Sequence, residues 1–292
     1  HDIGRTLFAI CLPEQFSTID QMDFDESLTT LNHEESRIGT NHCVLGSWFG
    51  RQQNLPQELL EVILFHHDPA RALQHRRLVA LISAALHGAD AKPLAGDLVA
   101  VAQKIISKAE GRSVRLATVT PSAEAEDIAA RAHKDPRVVE LILRESRAVL
   151  RVTPGVIIVE HRCGVVLANA GIDRSNIEDS DEQALLLPAD ADASAARLRE
   201  GLQREFGVPL GVIITDSIGR AWRLGTVGIA IGCAGVTALQ DLRGQTDMFG
   251  RTLQVSEVAV ADSIAAAAVL VMGEAAEGTP LVLVRGAGTG TD

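Results

Sequence analysis

From Leu98 onward the chain alternates short β-branched runs with alanine-rich stretches, and that alternation restricts the fold more than any other feature. Leu98 to Ile106, Gly155 to Val159, Val165 to Asn169, Val212 to Thr215, Val227 to Ile231 and Leu281 to Val284 have the length and composition of buried strands. Between them, Ala123 to Ala132, Arg137 to Leu150, Ala193 to Phe206 and Ser263 to Met272 have helical spacing. A domain of mixed α and β, with one sheet, is the expectation. Gly155 to Val159 and Gly211 to Thr215 look alike, but they share only what any two buried strands share, so no internal repeat is read.

Ahead of that domain the texture changes. Seven of the nine histidines precede residue 90, among helical patterns such as Leu55 to Leu64, where Pro56 suits a first helical turn. Gly and Pro interrupt the apolar runs between His87 and Pro93, so a boundary is expected near residue 90, with an all-helical segment over 1–90 and the mixed domain over 91–292. A chain of 292 residues, 46% hydrophobic, can build a real core. Its net charge of −11 argues against nucleic acid as a partner, because such binders gather Lys and Arg on one face.

Cys11, Cys43, Cys163 and Cys233 form no C-x-x-C pair, so reduced thiols in a cytoplasmic protein are expected. The apolar stretch Ile264 to Met272 is far shorter than the roughly 20 residues of a membrane-spanning helix. No membrane association is expected. The chain opens on His1 and Asp2 with no initiator Met, and it reads as a fragment.

Two strand-like runs lead into acids. Val165 to Asn169 continues through Gly171 to Asp173, and Val212 to Thr215 runs directly into Asp216. Strand ends are where side chains converge on a crevice, although an isolated Asp there more often starts a turn or caps a helix. These two are not isolated: Arg174, Ser175 and Asn176 follow the first, Ser217 and Arg220 the second, and Glu274 supplies a third acid after a helix. Carboxylates with a hydroxyl, and no His or Cys, suit a hard ion such as Mg2+ or Mn2+ better than zinc. Lys104 and Lys108 are the basic counterpart; four residues apart on a strand they share a face. The chain has no G-x-x-x-x-G-K-[ST] loop, so a bound nucleotide needs another cradle for its phosphates. Arg220 and Arg223 are candidates for a substrate carboxylate or phosphodiester, with a structural ion pair as the equal alternative.

Val101 to Arg112, Ala168 to Asn176 and Ile214 to Arg220 together resemble the coenzyme F420 γ-glutamyl ligases. Further pieces agree in order: Leu143 to Ser146, Gly228 to Gly232, Asp241 to Gly244, Phe249 to Arg251, Ala259 to Asp262 and Val284 to Gly286. The resemblance runs from about Leu94 to Gly286 and implies an α+β fold in an intertwined homodimer. It implies GTP-dependent joining of L-glutamate, through its amine, to the terminal carboxylate of the coenzyme F420 precursor. Carried over by position, Asp173, Asp216, Ser217 and Glu274 would hold two divalent ions, Mg2+ or Mn2+, with Asp173 and Asp216 catalytic. Gln103, Lys104, Lys108 and Asn176 would contact the nucleotide, together with the loop Met272, Gly273, Glu274, Ala275, Ala276, Glu277, Gly278 and Thr279. Ser217 stands where a Thr is common, which keeps the hydroxyl.

The front segment resembles the back part of an HDOD domain, a degenerate relative of the HD phosphohydrolases. The match rests on His1 to Gly4, Asn41 to Gly46, and Leu55 and Pro56 leading to Phe65, His66, His67, Asp68 and Pro69. A working HD site needs a further His upstream, so His1, Asp2, His42 and His66 are read as structural, and no hydrolase activity is expected. Ligases of the resembled family open with a Gly-Leu-Pro-type strand and a Gly-Asp-Asp-Leu turn; only Gly96 and Asp97 precede Leu98 here, so that strand is expected to be missing. Two competing readings remain: a non-catalytic HDOD-type interaction protein whose ligase half is a scaffold, and a metal-dependent phosphatase or nucleotidase using the same acids.

Overall fold

The structure, a computed structural model, describes residues 34–35, 40–52, 69–174, 182–275 and 277–287. Contacts divide the chain into two units, His1–Arg77 and Leu78–Asp292. In the first, helix α1 (His42–Gln52) begins at Asn41, whose Oδ1 accepts the amide of Val44 at 3.1 Å. His42 is buried, and Glu34 Oε2 takes both its amide, at 2.9 Å, and its Nδ1, at 2.7 Å. His1, Asp2 and His66, and the helix expected over 55–64, lie outside the described residues.

The second unit is built on a four-stranded sheet in the order β11-β1-β7-β8. Its members are β1 (Leu98–Ala102), β7 (Gly211–Gly219), β8 (Thr226–Ala234) and β11 (Leu281–Val284). Strands β1 and β7 are parallel, with Leu98 opposite Gly211 and Ala102 opposite Thr215, while β11 and β8 flank them antiparallel. The sheet is mixed and the fold is α+β.

Alternate residues of the central strands bury on opposite faces. Val99, Val101, Val212 and Ile214 pack with helix α2 (Pro69–Gly88) and helix α6 (Ala191–Phe206). Leu78, Ile82 and Leu86, spaced by four, supply the buried stripe of α2. Leu98, Ala100 and Ile213 face helix α7 (Val260–Met272) instead. A buried carboxylate closes the sheet: Asp97, just before β1, accepts from Arg285, just after β11, at 2.7 Å, and this guanidinium holds its pKa below the ordinary value.

Between β1 and β7 the chain makes a second layer with its own core. Helix α3 (Gln103–Ala109) follows β1 directly, and β2 (Ser113–Arg115) later pairs with β6 (Gln183–Leu185). Helices α4 (Ala123–Ala132) and α5 (Pro136–Arg144) start on Ser122 and Asp135 caps and cover the sheet β3 (Ser146–Thr153), β4 (Val156–His161) and β5 (Val166–Ala168). After β8, β9 (Leu239–Asp241) and β10 (Glu257–Ala259) form an antiparallel arm.

The described residues form four sheets rather than the one expected, and two of the expected elements end early. The strand expected over Leu98 to Ile106 ends at Ala102, whose amide goes to Pro280 O at 2.9 Å; beyond it, a Ser107 to Gln103 side-chain hydrogen bond of 2.9 Å spans the first turn of a helix. The helix expected over Arg137 to Leu150 stops at Arg144, because the chain from Ser146 pairs with β4. In the second place helical propensity yields to strand pairing; in the first, Ile106 is buried from a helix instead.

Close approach of the helices requires glycine in β8, where the register skips Ile231 between Ala230 and Gly232. A Cβ on Gly232 would lie 2.4 Å from the Ala191 backbone, and one on Gly228 would lie 2.7 Å from the Ala265 carbonyl. Backbone cannot rotate away. Gly232→Ala is therefore expected to destabilise the protein by about 1–3 kcal/mol in denaturant unfolding, while Gly88→Ala, with nothing nearby, stays within about 0.5 kcal/mol. Equal effects of the two would remove the packing role given to Gly232.

Candidate active site

The parallel pair β1 and β7 ends in one crevice, because Ala102 and Thr215 are in register and the residues that follow them meet there. On the β1 side the chain turns into α3, carrying Gln103, Lys104 and Lys108; on the β7 side Asp216 and Ser217 continue the strand. Helix α7 stops at Met272, and the loop from Gly273 to Pro280 returns over the same strand ends to start β11. The result is a pocket of about 510 Å3 lined by all of these residues.

The loop is shaped by its own side chains. Gly273 has φ 78, and Glu277 folds beneath it so that its Oε2 accepts the Ala275 amide at 2.8 Å. A Cβ on Gly273 would sit 2.3 Å from the Glu277 side chain. Glu274 points to β7 and β8, where its Oε1 accepts from Ser217 Oγ at 2.8 Å and from Thr226 Oγ1 at 3.2 Å.

Asp173 arrives from the other layer by a turn few residues tolerate. Asn169, Ala170 and Gly171 are all left-handed, with φ of 53, 54 and 65. Asn169 Oδ1 anchors the turn on the Ile157 amide at 3.2 Å, and Asp173 then exchanges backbone hydrogen bonds with Leu185 at 3.0 and 2.9 Å. Its carboxylate meets Lys104 Nζ at 2.6 Å, a short ion pair in a half-buried place.

Asp216 lies at the centre of the charge. Burial is the largest influence on its carboxyl and, with the negative charges of Asp173 and Glu274, outweighs the Ser217 amide and Lys104 to push the pKa up to about 6. All the donors are oxygens. Among the described residues no three His, Cys, Asp or Glu side chains converge closely enough to chelate one ion. Here the acids are balanced by Lys104 and by hydroxyls.

Of the residues singled out in the sequence, Gln103, Lys104, Lys108, Asp216, Ser217, Met272, Gly273, Glu274, Ala275, Glu277, Gly278 and Thr279 line the pocket, and Asp173 joins through Lys104. Lys104 and Lys108 share a face as expected, but on a helix rather than a strand. Gln103 is buried. Arg220 and Arg223 sit on the exposed turn after β7, outside the pocket lining, and the Arg220 guanidinium donates to Leu224 O. Asn176 and Ala276 lie outside the described residues. Sequence reading missed Thr226, which only the β7 and β8 register brings to Glu274.

A family model described as F420-0:gamma-glutamyl ligase matches residues 72–286, and an HDOD domain model matches residues 1–69. The coenzyme F420:L-glutamate ligase of Methanopyrus kandleri is 50% identical over 191 residues, 65% of this chain and 75% of its own. That of Methanothermobacter thermautotrophicus is 48% identical over 206 residues, 70% of this chain and 81% of its own. The Methanocaldococcus jannaschii protein of the same name is 45% identical over 192 residues.

The raised pKa of Asp216 fixes a pH dependence. The folded chain holds this proton more tightly than the unfolded chain, so the group's contribution to stability falls as pH rises from about 3.8 to about 6, and above that range the ionised carboxylate is a net cost. Asp216→Asn in metal-free buffer is expected to be more stable than the parent at pH 8, by about 1–2 kcal/mol, with the gap closing near pH 4. Melting curves at the two pH values test this; a gap independent of pH refutes it.

Proposed function

The chain belongs to the F420-0:gamma-glutamyl ligase family through residues 72–286, and from that premise we propose that it joins L-glutamate to the terminal carboxylate of the coenzyme F420 precursor at the expense of GTP. The observation that carries the reading is the meeting of Lys104, Lys108, Asp216, Ser217 and the Gly273 to Pro280 loop at the ends of two parallel strands.

The reaction explains why both charges are needed. A carboxylate is a poor electrophile, and an amine does not displace oxide from it. Transfer of the GTP γ-phosphoryl group makes an acyl phosphate and releases GDP. The glutamate amine then attacks the acyl carbon, phosphate departs with the C–O bonding electrons, and the amine gives up a proton. Lys104 and Lys108 offset the phosphate charge, and the loop from Met272 to Thr279 encloses the nucleotide. Lys104 would exchange its Asp173 partner for phosphate oxygens. Asp173, Asp216, Ser217 and Glu274 would hold the pair of hard divalent ions, since all donors are oxygen and burial with two neighbouring acids leaves Asp216 in need of positive charge. When bound, Mg2+ or Mn2+ supplies charge neutralisation at the moving phosphoryl group.

Phosphate release discriminates the readings. Release is expected to need GTP, L-glutamate and the precursor together, whereas a phosphatase would release phosphate without glutamate, and a scaffold would release none. Calorimetric titration of Mn2+ and GTP into the intact chain and into Asp216→Ala should show binding lost or weakened at least about tenfold in the variant. Equal binding by both would remove the metal assignment.

A homodimer accompanies this reading. Trp222, Leu224, Met248, Phe249 and Val255 are each between 84% and 99% exposed, on the β7 to β8 turn and on the β9 to β10 arm. Large apolar side chains left in water mark an association surface, and a lone hairpin has little stability of its own. Phe249→Asp combined with Met248→Asp is expected to shift sedimentation from dimer to monomer. An unchanged sedimentation coefficient would exclude the arm from the interface.

A further inference from the structure

A second cluster of titratable groups lies at the turn between β4 and β5, and none of its members lines the pocket. Cys163 is exposed, and its Sγ is 3.0 Å from Nδ1 of His161. His161 is buried, and its Nε2, which makes no hydrogen bond, faces Glu145 Oε2 at 3.7 Å, an ion-pair distance. Glu145, just past α5, is itself buried and held by Arg112 Nη2 at 2.7 Å and by Arg162 Nη2 at 2.8 Å. Thiol, imidazole and carboxylate therefore stand in series: an exposed sulfur, a buried base in contact with it, and an acid at ion-pair distance behind the base.

We infer that Cys163, His161 and Glu145 form an activated thiol site that reacts with small-molecule disulfides to give a mixed disulfide at Cys163. The thiol proton passes to His161 Nδ1, whose lone pair also accepts the Cys163 amide at 3.1 Å, a hydrogen bond given up when Nδ1 is protonated. The thiolate attacks one sulfur of the incoming disulfide. A new S–S bond forms at Cys163, the reagent's S–S bond breaks, and its electron pair leaves on the second sulfur as a thiolate. Cys163 is oxidised and the departing half is reduced, so no other oxidant is needed.

The charged surroundings favour this ion pair. Burial opposes the charge on His161, but the contact with Cys163 and the nearby Glu145 carboxylate outweigh it and push the pKa up to about 9. Burial likewise opposes the Cys163 thiolate, yet the His161 hydrogen bond and backbone amides lower its pKa. Arg112 and Arg162 are matched by Glu145, so His161 is the cation in contact with the sulfur. Cys233 makes an internal control: burial and the carboxylates of Asp192 and Asp262 raise its pKa.

The test uses the full chain with 5,5'-dithiobis(2-nitrobenzoate) and oxidised glutathione as probes, with adducts located by peptide mass spectrometry. At pH 6, Cys163 is expected to react at least about tenfold faster than Cys233 and than free glutathione, and its rate should level off below the pH at which an ordinary thiol ionises. His161→Gln should lose about tenfold at pH 6 and little at pH 9, a pH-selective loss that a folding defect would not give. Cys163→Ser should abolish the fast adduct while GTP-dependent ligation proceeds. If the pH profile of Cys163 in the parent chain follows that of free glutathione, the proposal fails, whatever the His161 variant does.

Discussion

Parallel pairing of Leu98–Ala102 with the start of Gly211–Gly219 is the constraint on which the functional part of the molecule depends. A parallel pair brings its two carboxyl ends to the same edge, so whatever follows Ala102 and Thr215 must meet. Burial holds the pair in register from both faces, α2 and α6 on one and α7 on the other, and a slip of one residue would turn Val99, Val101, Val212 and Ile214 out of their core. Asp97 and Arg285 lock the opposite edge. The sheet thereby converts a separation of more than a hundred residues between Lys104 and Asp216 into two walls of one pocket.

Burying a carboxylate near two further acids is costly, and the pocket carries that cost in an identifiable place, the proton affinity of Asp216, which burial raises first and the charges of Asp173 and Glu274 raise further. Lys104 relieves part of it by pairing with Asp173. A site with its charges already opposed in this way favours a ligand that brings positive and negative charge together, as a nucleotide with divalent cations does. Uniformly acidic or basic ligands would leave one wall unbalanced. The hydroxyls of Ser217 and Thr226 on Glu274 serve the same end, fixing the third acid without neutralising it.

The sequence made most of this site legible for reasons of spacing rather than of secondary structure. Residues four apart share a face on a strand and on a helix alike, so Lys104 and Lys108 could be paired although their element was misread. Asp216 stood out because a buried β-branched run ends in it. Asp173 could be suspected, but the left-handed turn that aims it follows from Asn169 and Gly171 packing against distant partners, Ile157 and Leu187. Thr226 carried no signal, since its part depends wholly on register across β7 and β8. The break after Arg144 was equally hidden, because the apolar pattern of α5 runs on into β3 and only pairing with β4 ends the helix.

One short segment serves two sites. Gln103 to Arg112 sends Lys104 and Lys108 into the pocket, then turns through Gly111, with φ 65, so that Arg112 points away to Glu145 and to the Leu187 carbonyl at 2.8 Å. Glu145 must balance that guanidinium together with Arg162 and His161, and one buried carboxylate cannot fully satisfy three cations at once. The shortfall falls on His161, the most weakly held of the three at 3.7 Å, and an anionic sulfur at 3.0 Å is what completes its charge. The thiolate character proposed for Cys163 thus follows from charge balance at Glu145, as the proton affinity of Asp216 follows from its burial and from the acids around it.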